Sequence, residues 1–576
     1  MKINVSKYLK SCNSSALLIV MVMGAAAMIV LAGTLKWTST NGILLNRNIA
    51  YQNSVIAAEA ATEKVVSEIA TDYAKEGPTV VGNKLNNYRA RIPNEHIFWG
   101  KYKFKNRNGN KDKISVDFVQ PWTADTPLLS QYSGLKGYAA TIRIRANAED
   151  VVDKTEGAVY QDIQLALLPV FQFAIFYNLD LEVNPGPIMN ITGRVHSNRD
   201  IFCQPQNVLN FWSPVTAAGK IFPGQKKPGD PSSRPAGKLN FLDRYESDFS
   251  TLNLPIGTNG SPDSVREIVE IPENSENPND PMAKQRFYNN CDIVIVVSNN
   301  AVSVRGSGIC NGLGINIQWS VASNWLSTNK TFYDQRENKT NIVTEIDIAK
   351  FSQWATNNAN NPLRNVVRNT QGREINSIYV ADRRKGSSTI LPVVRLVNGD
   401  KLPPSGFTLA TPNPLYIKGN YNAYGSSLGS TNTANTKPAS LIADAITILS
   451  GNWDDSKSKL GISSRVAEST TVNAAFFAGI VETVPGHYSG GLENFPRFLE
   501  NWSGKIFTYN GSMVVMFPSK YATNYWPSTG AVYNAPNRNW SFDVNFYNPE
   551  RLPPLTPSVR AIIRYKWKNV APSDNS

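Results

Sequence analysis

Gly425-Ser426-Ser427-Leu428-Gly429 has the Gly-x-Ser-x-Gly spacing of a nucleophile elbow, where a strained strand-to-helix turn holds a serine hydroxyl toward substrate. Its surroundings argue against that use: a Ser-, Thr- and Asn-rich stretch runs on through Ser440 with no helical period, so the pentapeptide reads as a loop. The chain has 3 histidines, His96, His196 and His487, and none has another histidine or a cysteine at metal-ligand spacing. Each reads as a turn or packing residue. Asn178, Asp180 and Glu182 alternate onto one strand face and could offer oxygens to calcium, but no calcium-loop spacing surrounds them, and a solvated face is the expectation. The residue pattern therefore assigns no catalytic residue, no metal ligand and no cofactor.

Of 4 cysteines, Cys12 precedes the apolar segment described next, which leaves Cys203, Cys291 and Cys310 for one disulfide at most within the remainder. Cys291 and Cys310 flank an expected hairpin and are the candidate pair in an oxidising compartment. The formal charge of +13 invites an anionic partner, yet the longest basic run is Arg383-Arg384-Lys385, and a solvated surface accounts for it.

The elements that must position any site begin with one helix, Ser15 to Tyr73. Ser15 to Leu35 carries no charge and suffices to cross a hydrocarbon core, which takes about 20 apolar residues. No proline interrupts the segment until Gly77-Pro78 supplies a stop. Lys2, Lys7 and Lys10 precede the span while only Lys36 and Arg47 follow closely, which favours a cytoplasmic N-terminus with the body outside. A cleaved secretory signal is the rival reading, but its apolar core is usually about 7 to 15 residues, shorter than this one. Gly24, Ala25, Ala26 and Ala27 form a smooth patch that allows close helix approach. Beyond the span, Val55, Ala58, Thr62, Val66, Ile69 and Tyr73 fall on one helical stripe that needs a partner.

Four alternating segments supply it: Lys101 to Lys105; Ile114, Val116 and Phe118; Ala140, Ile142, Ile144 and Ala146; and Val159, Ile163, Leu165 and Leu167. An antiparallel sheet with one apolar face and a helix with one apolar stripe bury each other. A basic leader, a membrane helix that continues outward and a following sheet resemble a type IV pilin, and more closely a PilX-type minor pilin. Asn46-Arg47-Asn48-Ile49-Ala50-Tyr51, then Ala57-Ala58-Glu59-Ala60-Ala61, is similar to that family's pattern after its membrane segment. Like those proteins, the chain lacks the glutamate that major pilins carry near the start of the span. It departs at the processing site, Ser14-Ser15, where Ser14 stands in place of the glycine that precedes cleavage.

After Leu168-Pro169 the chain turns to short β-like runs punctuated by Asn, Gly and Pro. Ile188, Val195, Ile201, Val208, Val215 and Ile221 recur at six or seven residues, which suits strands coiled into a solenoid, with a β-sandwich as the alternative. Asp292 to Val297 and Ala301 to Arg305 predict a hairpin, and Thr344 to Asn357 a short helix. Leu415 to Lys418, Leu441 to Leu449, Val472 to Ile480 and Ile506 to Phe517 are apolar runs too continuous for a one-sided sheet.

The expectation is an α+β, mainly β chain: leader and long helix over 1–77 with the span at 15–35, pilin-like sheet over 78–170, β-rich body over 171–410 and 411–570, and a tail over 571–576. The resemblance implies a non-enzymatic subunit of a type IV pilus or related secretion filament, held in a bacterial inner membrane, whose partners are other pilin-like subunits and the assembly machinery. The alternatives are an anchored β-helix enzyme acting on carbohydrate, or an adhesive tip that binds polysaccharide or DNA.

Overall fold

The computed structural model describes residues 13–226, 235–308, 314–357, 361–527 and 530–573. It is an α+β chain in which one long apolar helix leads into a large sheet-rich region. Helix α1, Asn13–Glu76, is unbroken over 64 residues, about 95 Å at the α-helical rise. It stops where Gly77 adopts φ +82 and Pro78 opens the next turn.

The four expected strands are present as β1 (Tyr102–Lys105), β2 (Ser115–Pro127), β3 (Lys136–Asp150) and β4 (Glu156–Pro169). β1 and β2 share one edge of β3, and β4 takes the other, all antiparallel. The chain's last strand, Ser558–Val570, returns from the far end of the sequence to pair antiparallel with β4. Its signal is the alternation of Val559, Ala561 and Ile563, all buried.

Beyond β4, strands Ile175–Tyr177, Val195–Ser197 and Val215–Ala217 stack in parallel at intervals of 20 residues, followed by Tyr245–Glu246. Between them the chain lays strands on two further parallel ladders, Leu181–Val183 with Ile201–Cys203, and Met189–Ile191 with Val208–Phe211 and Lys238–Phe241. The six-to-seven-residue recurrence is therefore the passage from one side of each 20-residue turn to the next. Side-chain amides tie successive turns together: Asn198 Nδ2 donates to Asn178 Oδ1 at 2.8 Å, and Asn210 Nδ2 to Asn190 Oδ1 at 2.9 Å.

The chain then crosses back along the outside of the body through residues 247–292. It starts again at Ile293–Val297, advancing in parallel through Ser377–Asp382, Phe407–Ala410, Ala439–Ala443, Ala475–Ile480 and Met513–Pro518. This last strand pairs with Ile175–Tyr177, Met513 opposite Ile175, so the final turn of the second stack abuts the first turn of the first. Among these described strands only two pairings are antiparallel, Ile293–Val297 with Val302–Gly306, which is the expected hairpin, and Leu326–Asp334 with Lys339–Asp347.

Three long apolar runs are each two strands around a corner, at Asp444, Ala474 and Ser512. Asp444 holds its corner by accepting N–H bonds from Lys520, Tyr521 and Ala522 and an Arg266 guanidinium bond at 2.7 Å. Arg266 lies on the crossover, whose Val265, Ile268 and Phe287 are buried with the ladder residues. That covers the second face of the central sheet. The helix expected over 344–357 spans Ile348–Thr356; residues 344–347 instead finish a strand, and Asp347 caps the helix through Lys350 N at 3.0 Å.

Candidate assembly helix and its platform

Every residue of α1 from Ser15 to Ile49 is exposed on this chain, including Gly24, Ala25, Ala26, Ala27, Leu35, Asn46 and Arg47. This stretch contains a segment long and apolar enough to cross a membrane. Ser14 lies within α1, and its side chain falls outside the described residues. Ala50 is the first buried residue; from there Val55, Ala58, Thr62, Val66, Ile69 and Tyr73 turn inward against Ile142, Ile144, Val159, Ile163 and Leu165. Glu59 and Ala60 are half-buried at the edge of this contact.

The seat is specific as well as apolar. Ser54 Oγ donates to Thr155 O at 2.9 Å, Gln161 Nε2 to Thr62 Oγ1 at 2.9 Å, and Tyr73 OH to Ala166 O at 2.8 Å. Burial holds the Tyr73 phenol well above its ordinary range, so it remains a donor. Gly157 lets the backbones meet, since a Cβ there would stand 2.5 Å from Val55 N.

Sequence reasoning missed the C-terminal strand's part in this seat. Arg560 Nη1 donates to Tyr73 O at 2.9 Å, supplying a partner to a carbonyl in the last turn of α1. Arg564 takes both Glu63 oxygens at 2.7 Å, and Tyr51 OH reaches Asn569 Oδ1 at 3.1 Å. An arginine between Val559 and Ala561 gives no sequence hint of a helix more than 480 residues earlier; only the strand alternation around it was readable.

The other candidates are dispersed. Ser427 is buried in a 3-10 turn with its hydroxyl given to Tyr424 O at 2.9 Å, so the pentapeptide forms a loop and no elbow. Asn178 donates to Gly260 and Met516 carbonyls, Asp180 pairs with Lys226 at 2.7 Å, and Glu182 accepts from Thr483 and Ser489 hydroxyls, so the three do not converge. Among the described residues no group of three or more His, Cys, Asp or Glu is placed to hold a metal. His96 Nδ1 caps a turn through Phe98 N, and His487 stacks on Tyr525 at 4.2 Å. His196 is fully buried against Phe173, Phe176 and Phe249, and burial pushes its pKa down to about 4. Burial pushes Glu500 up to about 7 despite bonds from the Ser450 N–H and hydroxyl. Cys203 and Cys291 are buried; the Cys291–Cys310 pairing falls outside the described residues because Cys310 does.

Among the described residues, two broad clefts open on the body. One of about 1020 Å³ carries Arg383, Arg384 and Lys520 beside Glu270, Glu273 and Asp382, and one of about 660 Å³ lies near Arg395 and Tyr424.

No protein-family model matches the chain, and no curated protein matches it. Among solved structures, a competence-associated pilin, ComZ from Thermus thermophilus, aligns over 90% of this chain and 97% of its own, at 9% identity and a TM-score of 0.29. An overlay that loose carries no argument about fold or function.

Proposed function

We propose that this chain is a non-enzymatic, membrane-anchored, pilin-like subunit of the PilX type that enters a type IV pilus or related secretion filament. One observation carries the reading: α1 is a single rod, apolar from Ser15 to Leu35, uncovered as far as Ile49 and seated on the sheet from Ala50 to Tyr73. Such a rod needs lipid around its first half until other helices replace the lipid, and Gly24 to Ala27 is the smooth patch where they would meet it. In this reading the N-terminus is cytoplasmic, the body lies outside a bacterial inner membrane, and Ser14-Ser15 is the processing site.

The parallel ladders support a solenoid-like body over a sandwich, because sandwiches are built from antiparallel sheets. We assign the mounting unit to residues 1–77 and 78–170 together with the returning strand Ser558–Val570, and the displayed body to the stretches 171–410 and 411–557. A body of this bulk suits a filament tip or an initiating complex better than a close-packed shaft. Replacing Gly24→Leu and Ala27→Leu together should leave the protein in the membrane and folded but abolish its surface display. Undiminished display and piliation would sink the proposal.

A further inference from the structure

The cleft of about 660 Å³ lies in the size range of small-ligand sites. Its floor is closed by charge: Arg395, 3% exposed, donates to Glu345 at 2.7 Å and to both Asp455 oxygens at 2.7 and 2.9 Å. Trp453 Nε1 adds a bond to Asp455 at 2.9 Å. A triad so fully engaged is a scaffold and not a ligand contact.

The walls differ from the floor. They come from separate passes of the chain: Lys330 from the hairpin, Asp400 beyond strand Ile390–Val397, Lys418 at the end of Leu415–Lys418, and Glu468 just before strand Thr470–Asn473. Among the described residues none of these four enters an ion pair, so two carboxylates and two ammonium groups face the opening with their hydrogen-bonding capacity unspent. The loop with the Gly-x-Ser-x-Gly spacing supplies the apolar side: Tyr424 is 42% exposed, Leu428 is 47% exposed, and both line the cleft. Gly419 and Gly425, at φ +81 and +56, keep that wall free of further side chains.

From this we infer that the cleft is a binding site for a neutral oligosaccharide. Vicinal hydroxyls need donors and acceptors side by side, which Asp400, Glu468, Lys330 and Lys418 provide, and the C–H face of a sugar ring needs an exposed ring or alkyl surface, which Tyr424 and Leu428 provide. Lys330 and Lys418 stand on strands three steps apart in the sheet, at about 4.8 Å per step, so the groove suits several linked sugars over roughly 15 Å. Charge does not favour a polyanion: despite the chain's +13, the four carboxylates Glu345, Asp400, Asp455 and Glu468 are matched by Lys330, Lys418 and Arg395 in the lining and by Lys401, whose ammonium lies 5.2 Å from the centre of the Tyr424 ring. The site does not depend on how α1 assembles, and its test leaves α1 untouched.

The full chain, solubilised in a detergent without a sugar headgroup, is titrated calorimetrically with cellohexaose, chitohexaose, a heparin hexasaccharide and hexalysine. A neutral hexasaccharide should bind, and Tyr424→Ala and Glu468→Gln should each weaken it at least tenfold with no change in melting temperature. Both side chains stand in solvent, so neither change threatens the fold. Absence of binding by both neutral sugars at millimolar concentration overturns the inference. So does binding that survives both substitutions, or tighter binding of heparin or hexalysine that either substitution removes.

Discussion

The antiparallel unit that seats α1 matches its buried charges with charges or carbonyl dipoles, whereas the parallel body, beside its own ion pairs, also buries titratable groups whose hydrogen-bond partners are all neutral. Asp162 in β4 receives two bonds from Arg143, at 2.8 and 3.0 Å, and Arg560 meets the Tyr73 carbonyl. In the body, His196 sits among three phenylalanines with Thr216 and Asn198 as its hydrogen-bond partners, and Glu500 rests on Ser450. The difference follows from how each is built. A helix on a five-stranded sheet has rims where long arginines reach, while stacked turns bury whole corners, some of which only short polar side chains satisfy. The mount should therefore respond to packing changes and the body to pH.

The largest expected effect tests that division. His196 stays neutral down to about 4 where an unfolded histidine takes a proton near 6.5. The unfolded state binds that proton first, so the contribution is whole above 6.5 and is lost as pH falls toward 4, by roughly 3 kcal/mol. Glu500 acts with the opposite sign: its proton is held up to about 7 against an ordinary 4.5, so its contribution is whole below 4.5 and is lost as pH rises through 7, by up to roughly 3 kcal/mol. Between about 4.5 and 6.5 the two slopes oppose and nearly cancel, so melting curves of His196→Gln should expose a fall in stability as pH rises and those of Glu500→Gln a rise. Hydrogen exchange should place both slopes in the body; a slope in β3 or β4 would show that the mount titrates as well.

Packing tests the mount. Gly157→Ala drives a Cβ against the α1 backbone at Val55 and Ser54 and should cost about 1 to 3 kcal/mol, read as faster exchange in β4 with the body unchanged. Tyr73→Phe removes the bond to Ala166 O, which should cost about 1 kcal/mol in the same region.

How much of this the sequence disclosed depends on whether the signal is local. The rod of α1 was legible because hydropathy and a 3.6-residue stripe are properties of one segment, and β1 to β4 because each alternates by itself. The 20-residue turns were half legible: the recurrence from Ile188 to Ile221 gives the sides of each turn but not which turn lies on which. That Met513 stacks on Ile175, or that Arg560 bonds to the end of α1, depends on where the chain returns in space, and no local pattern carries it. Corners were hidden for another reason: Asp444 sits inside an apolar run and is satisfied by residues more than 70 positions away. For the candidate site, Ala58 and the stripe could be read as a contact face, whereas the clamp by the C-terminal strand could not.

In the proposed filament the uncovered half of α1 meets other pilin-like helices. A photo-crosslinking residue in place of Ala26, irradiated in intact cells, measures this directly. Adducts with other filament subunits should form, and fewer should form when Gly24→Leu is added. Adducts with lipid alone, in cells that are assembling filaments, would contradict it.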